Sequence, residues 1–253
     1  MQKKKLKIAV ITQSYYRKDG SSFNFLRNMF NMLEKQTYNN FKVFITGDNY
    51  QPADQLIQLC NEYNGEIYFH NNNHSCRELN LGKLENYWCY GGIHAAYNSY
   101  LKAKEEGYDI ALMLDDDDYW YETYIQNVVD NFIKFPETAF MITKSEYCGS
   151  HLPNTNIENV NYNNYIPRGA DSVRSSSAHN ISLIGDCVLN LWRGFIEEIS
   201  KMNLEDNKKS LQPADLQLLN LIGDKVRDGI YKSLYVPIIL VKKETNCNKH
   251  NIK

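Results

Sequence analysis

A short apolar strand that ends in four aspartates constrains the fold of this chain more than any other feature of its sequence. Residues 109–114 read DIALML, and Asp115, Asp116, Asp117 and Asp118 follow at once. An apolar run without polar alternation is typical of a strand covered on both faces, as in a parallel sheet flanked by helices. Ligands of such sheets bind outside the carboxyl ends of the strands. The sequence therefore predicts an α/β fold with a charged site at one edge of its sheet.

The rest of the first half alternates strand patterns with helix patterns. Runs rich in β-branched and aromatic residues predict strands at 7–12, 41–46, 66–69 and 138–143. Apolar residues at helical spacing and capping signals predict helices that begin near Ser21 or Ser22 and at Pro52, and helices over 88–105 and 119–134. This β-α-β-α order predicts a mostly parallel sheet with helices on both faces.

The second half is less regular. Residues 144–180 are rich in polar and turn-forming types, and a long irregular segment inside a compact domain is usually functional or mobile. Helices are predicted at 186–202 and from about Pro213, followed by a final strand at 234–241. Because 253 residues can bury one large core, we expect a single domain over 1–253.

The four adjacent carboxylates call for a compensating positive charge. Two carboxylates about 4 Å apart repel by about 4 kcal/mol at an effective dielectric of about 20. Mg²⁺ and Mn²⁺ prefer oxygen ligands, and proteins commonly hold them with one or two carboxylates plus substrate phosphates. The run therefore predicts a divalent-metal site that would neutralise a diphosphate. The alternative is a solvated acidic turn in which Asp118 caps a helix that begins at Tyr119.

Charge, cysteine spacing and hydropathy argue against several other classes. The formal net charge of -2 does not favour a nucleic-acid or anionic-membrane partner. The six cysteines form no Cys-x-x-Cys pair and no zinc-site spacing. The sequence contains no apolar run of about 18 residues that could span a membrane. The apolar stretch 8–11 is too short for a signal peptide, so we expect a soluble, cytoplasmic protein.

Two longer motifs make the chain resemble the family 2 glycosyltransferases of the GT-A fold, from about residue 7 to 241. The first is a helix that ends in Gln-Thr-Tyr at 36–38 and leads into a strand that ends near Asp48. The second is GGIHAAYNSYLKAKEEGYDIALMLDDDDYW at 91–120, which is similar to the family's Gly/Ala-rich helix followed by its Asp-x-Asp. The resemblance implies inverting transfer of a sugar from a UDP- or dTDP-linked donor, with the UDP-linked donor as the first choice. The acceptor would be a glycan or another hydroxyl compound, and Mn²⁺ or Mg²⁺ would assist.

The resemblance also implies roles for individual residues around the donor. Thr12 and the backbone near it would meet the nucleobase or ribose, and Asp48 would hydrogen-bond the base. Asn80 and Asn98 lie where the family contacts or supports the nucleotide sugar. Arginines near the diphosphate are also expected, and the available candidates in the second half are Arg168, Arg174 and Arg193.

The metal and catalytic residues follow from the same resemblance. Asp115 and Asp117 would be the two ends of Asp-x-Asp, with Asp117 as the first choice for a direct metal ligand. Asp115 and the intervening Asp116 are also expected to contact the nucleotide sugar. Asp215, at a helix start, would be the general base that takes the acceptor's proton. His250 is a candidate third metal ligand.

The sequence departs from the family pattern in two places and leaves two other functions open. Only one aspartate, Asp48, follows the second strand where the family often has two, and residues 17–20 lengthen the first loop. We expect residues of about 1–118 to bind the nucleotide sugar and residues of about 119–253 to bind the acceptor. One alternative is an inactive relative that binds a nucleotide or glycan. Another, a sugar-nucleotide nucleotidyltransferase, would need a glycine-rich loop that residues 13–18 lack.

Overall fold

The computed structural model contains a mixed sheet with helices on both faces. It describes residues 6–75, 92–147, 150–153, 165–168, 176–178, 185–191, 193–194, 197 and 214–243. The strands are β1 Ile8–Ser14, β2 Phe41–Gly47, β3 Glu66–Asn71, β4 Ile110–Asp115, β5 Tyr119–Trp120, β6 Thr138–Tyr147, β7 Ser150–Leu152, β8 Ser176–Ala178 and β9 Lys232–Lys243. The helices are α1 Ser21–Glu34, α2 Ala53–Glu62, α3 Ile93–Glu105, α4 Tyr124–Lys134 and α5 Ala214–Arg227. Residues 185–191 are also helical.

The strand order places a topological switch point between β1 and β4. Within the described residues the order is β3-β2-β1-β4-β8-β6-β9-β5, with β7 paired to β6. The first four strands of this order are parallel to one another. The chain moves outward from β1 to β3 and then returns to place β4 on the other side of β1. The predicted α/β class, with a parallel arrangement of β1 to β4, is confirmed. Sheets of this kind bind ligands in the crevice where the strand order reverses.

Strand β1 is buried on both faces, as its apolar sequence predicts. Ile8 and Val10 pack into a core with residues of α1, α2 and α4. Ala9 and Ile11 pack into a second core with residues of α3, α5 and the helical residues 185–191. All four side chains are at most 2% exposed. The two-residue alternation of the strand thus divides consecutive residues between two hydrophobic cores.

The residues after the acidic run form a strand, which corrects the predicted helix at 119–134. Tyr119 and Trp120 pair with β9, and the backbone N of Tyr121 donates to the carbonyl O of Leu240 at 3.0 Å. Trp120 is fully buried, with its ring centroid 4.3 Å from that of Tyr124. Burial of the indole and pairing with β9 override the local helical pattern, so α4 begins at Tyr124. Asp118 therefore does not cap a helix that begins at Tyr119.

The described parts of the irregular segment 144–180 complete the sheet. Strand β6 extends to Tyr147 and pairs with β7, and β8 lies antiparallel between β4 and β6. Helix α5 then approaches residues 165–168 closely. A Cβ atom on Gly223 would lie 2.2 Å from the carbonyl O of Pro167. The missing side chain is what permits this contact.

None of the helices that the structure describes has the length and apolar composition required to span a bilayer.

Candidate active site

The candidate site lies where the carboxyl ends of β1, β2 and β4 meet. The parallel register of β1 and β4 places Gln13 beside Asp115, and Gln13 Nε2 donates to Asp115 Oδ1 at 2.8 Å. The backbone N of Asp48 donates to the carbonyl O of Ser14 at 2.7 Å, which joins the ends of β2 and β1. Residues from three strands and their loops therefore converge on one edge of the sheet.

Asp116 is held by two side chains that belong to β1 and the loop after it. Arg17 Nη1 and Nη2 donate to the two carboxylate oxygens of Asp116 at 3.0 and 2.7 Å. Ser14 Oγ donates to Asp116 Oδ2 at 2.5 Å. Burial raises the pKa of Asp116, which is 4% exposed, whereas the hydrogen bonds from Arg17 and Ser14 act in the opposite direction. The Asp116 carboxylate thus anchors the β1–α1 loop to the acidic run.

The four aspartates of the run alternate in exposure. Asp116 and Asp118 are buried, whereas Asp115 and Asp117 are partly exposed. The run turns sharply, with the backbone N of Asp118 donating to the carbonyl O of Asp115 at 3.2 Å. One oxygen of Asp117 lies 3.8 Å from Arg17 Nη2. Asp117, whose side chain is 9% exposed, and Asp115 are therefore only somewhat more exposed than the other two carboxylates of the run.

The partly exposed carboxylates fit a hard divalent cation by their chemistry. No group of three His, Cys, Asp or Glu side chains among the described residues converges to hold a metal ion by itself. Mg²⁺ and Mn²⁺ are commonly bound by one or two carboxylates together with substrate phosphates, so two aspartates are a sufficient protein contribution. His250, the predicted third ligand, lies outside the described residues.

Asp48 follows β2 directly and is buried beside polar groups from the segment after β3. It is 2% exposed, and Ser75 Oγ donates to its Oδ2 at 2.6 Å. Asn98, on α3, donates from Nδ2 to Asn72 Oδ1 at 2.8 Å, and the backbone N of Asn72 donates to the carbonyl O of Gly47. Asn98 therefore connects α3 to the same corner of the sheet. Asn80 lies outside the described residues.

Thr12 points away from the open edge of the sheet. Its side chain is fully buried, and its hydroxyl lies 3.8 Å from Met29 Sδ in α1. The cause is strand alternation, because Ile8, Val10 and Thr12 share the face that α1 covers. The expectation that residue 12 meets the nucleobase or ribose therefore rests on its backbone and not on its hydroxyl.

Asp215 lies in the first turn of α5 and is exposed. Its Oδ1 accepts a hydrogen bond from the backbone N of Leu216 at 2.9 Å. Two other residues of α5, Leu218 and Leu219, pack in the core that covers the α3 face of the sheet. The carboxylate is accessible to a substrate that approaches from solvent.

Sequence reasoning missed four polar residues that the structure adds to this edge: Gln13, Ser14, Arg17 and Ser75. Gln13 and Ser14 were detectable in principle, since they are the last residues of β1 at the switch point. Arg17 lies in the loop that departs from the family pattern. The extra length of that loop is visible in the sequence, but it does not indicate which residue Arg17 contacts. Its contact with Asp116 joins residues 99 positions apart.

Comparison with known proteins supplies the enzyme class. No protein-family model matches the chain. An uncharacterized glycosyltransferase of Acanthamoeba polyphaga mimivirus, R139, is 28% identical to it over 186 residues, which cover 71% of this chain and 75% of the relative. This chain is therefore similar in sequence to a glycosyltransferase. The predicted enzyme class is confirmed.

Two solved structures share the fold. TarS from S. aureus (residues 1–349, in complex with UDP) superimposes with a TM-score of 0.56 at 15% identity, over 94% of this chain and 60% of that one. The mannosyltransferase PcManGT from Pyrobaculum calidifontis, in complex with GDP-Man and Mn²⁺, gives a TM-score of 0.55 at 9% identity, over 95% and 57% of the two chains. The chain thus spans about three fifths of each of these two chains. At such identities the likeness establishes the fold.

Proposed function

We propose that this protein transfers a sugar from a UDP-linked donor to a hydroxyl acceptor with inversion, as a family 2 enzyme of the GT-A type. The observation that carries the proposal is the convergence of Asp48, Asp115 and Asp117 at the switch point of the sheet. Ligands of parallel sheets bind in this crevice. The UDP in the TarS complex and the GDP-Man and Mn²⁺ in the PcManGT complex support a nucleotide-sugar donor.

The acidic run would bind the donor through its partly exposed carboxylates. Asp117 and Asp115 supply oxygen ligands for Mn²⁺ or Mg²⁺, and Gln13 fixes the orientation of Asp115 by its 2.8 Å hydrogen bond. When bound, the cation neutralises the diphosphate and stabilises it as a leaving group. Asp48, with Ser75 on its Oδ2, holds the uracil end of the donor at the β2 corner.

Asp215 would activate the acceptor. Its carboxylate takes the proton of the acceptor hydroxyl while that oxygen forms a bond to the anomeric carbon. The bond from the anomeric carbon to the phosphate oxygen breaks in the same displacement, UDP leaves, and the configuration inverts. Asp215 is exposed in the first turn of α5, so its carboxylate is open to a substrate from solvent. With this assignment the chain would be one domain with a donor half, about 1–118, and an acceptor half, about 119–253.

Paired substitutions test the two roles separately. Asp215→Asn should keep UDP affinity by calorimetry and abolish UDP release from UDP-sugars in the presence of hydroxyl acceptors, because only proton transfer is removed. Asp224→Asn is the matched control, since Asp224 lies on the same helix in an exposed ion pair with Arg227. It should leave both measurements unchanged. Full turnover by Asp215→Asn would refute the base assignment. UDP binding without turnover of any UDP-sugar by the unsubstituted protein would indicate an inactive binding relative.

A further inference from the structure

Arg17 is held in one orientation by contacts on several sides. Its guanidinium makes two hydrogen bonds to Asp116, at 3.0 and 2.7 Å. The guanidinium carbon lies 4.6 Å from the ring centroid of Tyr15 and 4.8 Å from that of Phe25. The backbone N of Arg17 donates to Ser22 Oγ at 2.6 Å, so the start of the loop is fixed as well. A planar fork held in this way loses little further entropy when it binds a ligand.

The guanidinium also lies near Asp117, whose side chain is 9% exposed. Its Nη2 lies 2.7 Å from Asp116 Oδ1 and 3.8 Å from Asp117 Oδ2, and the side chain is 14% exposed. The two bonds to Asp116 use one N–H on each terminal nitrogen, whereas a guanidinium carries five N–H groups. Arg17 therefore presents further donors next to the carboxylate that we assign to the metal.

The negative charge of the acidic run would oppose the binding of a diphosphate, so a positive charge is needed near it. Four carboxylates would repel the diphosphate of a donor, and a single divalent cation offsets only two of those charges. Arg17 adds a permanent positive charge that pairs with Asp116, the middle residue of Asp-x-Asp. Arginine matches phosphate oxygens with two parallel N–H groups, which makes it suited to bind a diphosphate.

We propose that Arg17 is a diphosphate-recognition residue, anchored by Asp116, that makes the site prefer a nucleoside diphosphate to a nucleoside monophosphate. This inference rests on the proposed function, since it assumes that the nucleotide binds at the acidic run. It replaces Arg168, Arg174 and Arg193 as the first candidate for the cation at the diphosphate. Asp116 is then a positioning residue and not a ligand of the donor.

A double substitution distinguishes a loss of diphosphate binding from a loss of protein stability. Arg17→Leu alone leaves the Asp116 charge buried without its main partner, whereas Arg17→Leu/Asp116→Leu removes both charges together. Replacement of a buried ion pair by apolar residues is often neutral for stability. Arg27→Leu/Glu62→Leu is the matched control, because Arg27 and Glu62 are half-exposed and 3.9 Å apart, away from the acidic run. Arg17→Lys keeps a positive charge near Asp116 and removes the planar fork.

The readout is the affinity for UDP, UMP and uridine, measured by calorimetry with Mn²⁺ and again with EDTA. The Arg17→Leu/Asp116→Leu variant should bind UDP at least about tenfold more weakly, since it loses charge-assisted hydrogen bonds, and bind uridine as the unsubstituted protein does. Arg17→Lys should weaken UDP in the same direction, and the control should match the unsubstituted protein. In EDTA the unsubstituted protein should still prefer UDP to UMP.

Two outcomes would overturn the inference for different reasons. An unchanged ratio of UDP to UMP affinity in both Arg17 variants would make Arg17 a purely structural partner of Asp116, and the proposed function would stand. No binding of uridine, UMP or UDP by the unsubstituted protein would refute the donor site itself, and this inference with it.

Discussion

Replacement of Arg17 with leucine should destabilise the folded protein substantially, because it leaves a buried carboxylate without its principal partner. Asp116 is 4% exposed and receives both Arg17 hydrogen bonds. Removal of one partner of a buried ion pair costs about 3–5 kcal/mol. Since Ser14 still donates to Asp116 and Arg17 is 14% exposed, we expect a loss of about 3 kcal/mol, the lower end of that range. In a chain of this length such a loss lowers Tm by about 6–12 °C.

Urea denaturation followed by circular dichroism measures this loss directly. Arg27→Leu is the control, because Arg27 also lies over an aromatic ring, that of Phe23, but its ion pair with Glu62 is half-exposed. Exposed pairs are worth about 0–1 kcal/mol, so the control should change the free energy of unfolding by no more than that. Arg17→Leu/Asp116→Leu should recover most of the lost stability. A loss below about 1 kcal/mol for Arg17→Leu, similar to the control, would refute the buried pair.

Two further predictions test helix packing and pH dependence. Gly223→Ala should destabilise the protein, because the new Cβ would lie 2.2 Å from Pro167 O. Gly194→Ala is the control, because an added Cβ at this helical site would meet no neighbour among the described residues within 4 Å, and it should be neutral or stabilising by about 1 kcal/mol. Equal effects of the two substitutions on the free energy of unfolding in urea would contradict the packing at Gly223. Burial lowers the pKa of His94, and the nearby charge of Asp48 acts in the opposite direction. Below about pH 6.5 the unfolded chain therefore binds more protons at this residue than the folded protein does. As a result, the stability of the folded protein falls on acidification. His94→Gln should reduce that loss in Tm measured from pH 7 to 5, and an unchanged slope would exclude His94 as its cause.

The layout of the sheet was predictable from local patterns. The apolar runs that became β1, β2 and β4 are short, lack polar alternation, and are separated by helices of ordinary length, so few topologies remain. The position of the acidic run at the carboxyl end of β4 followed from the same pattern. The inward direction of Thr12 was also available from the sequence, since Ile8 and Val10 lie on the same side of the strand.

The details that the sequence did not reveal depend on contacts between distant segments. Tyr119 and Trp120 form a strand because β9, more than 100 positions later, pairs with them. The partner of Arg17 depends on how the β1–α1 loop meets the β4 turn, which no local pattern specifies. Asp115 and Asp117 are more exposed than Asp116 and Asp118 because of the geometry of the turn. A run of four identical residues does not reveal which of them the turn buries.

The most direct test of the donor site is the affinity of UDP, measured by calorimetry for the unsubstituted protein and for Asp117→Asn, each with Mn²⁺ and with EDTA. Asp130→Asn is the control, because Asp130 is an exposed residue of α4. We predict that UDP binds to the unsubstituted protein and to the control in Mn²⁺, and that either EDTA or Asp117→Asn weakens it at least about tenfold. If the unsubstituted protein and Asp117→Asn bind UDP with the same affinity, both with Mn²⁺ and with EDTA, that result would contradict a metal-assisted donor site at the acidic run.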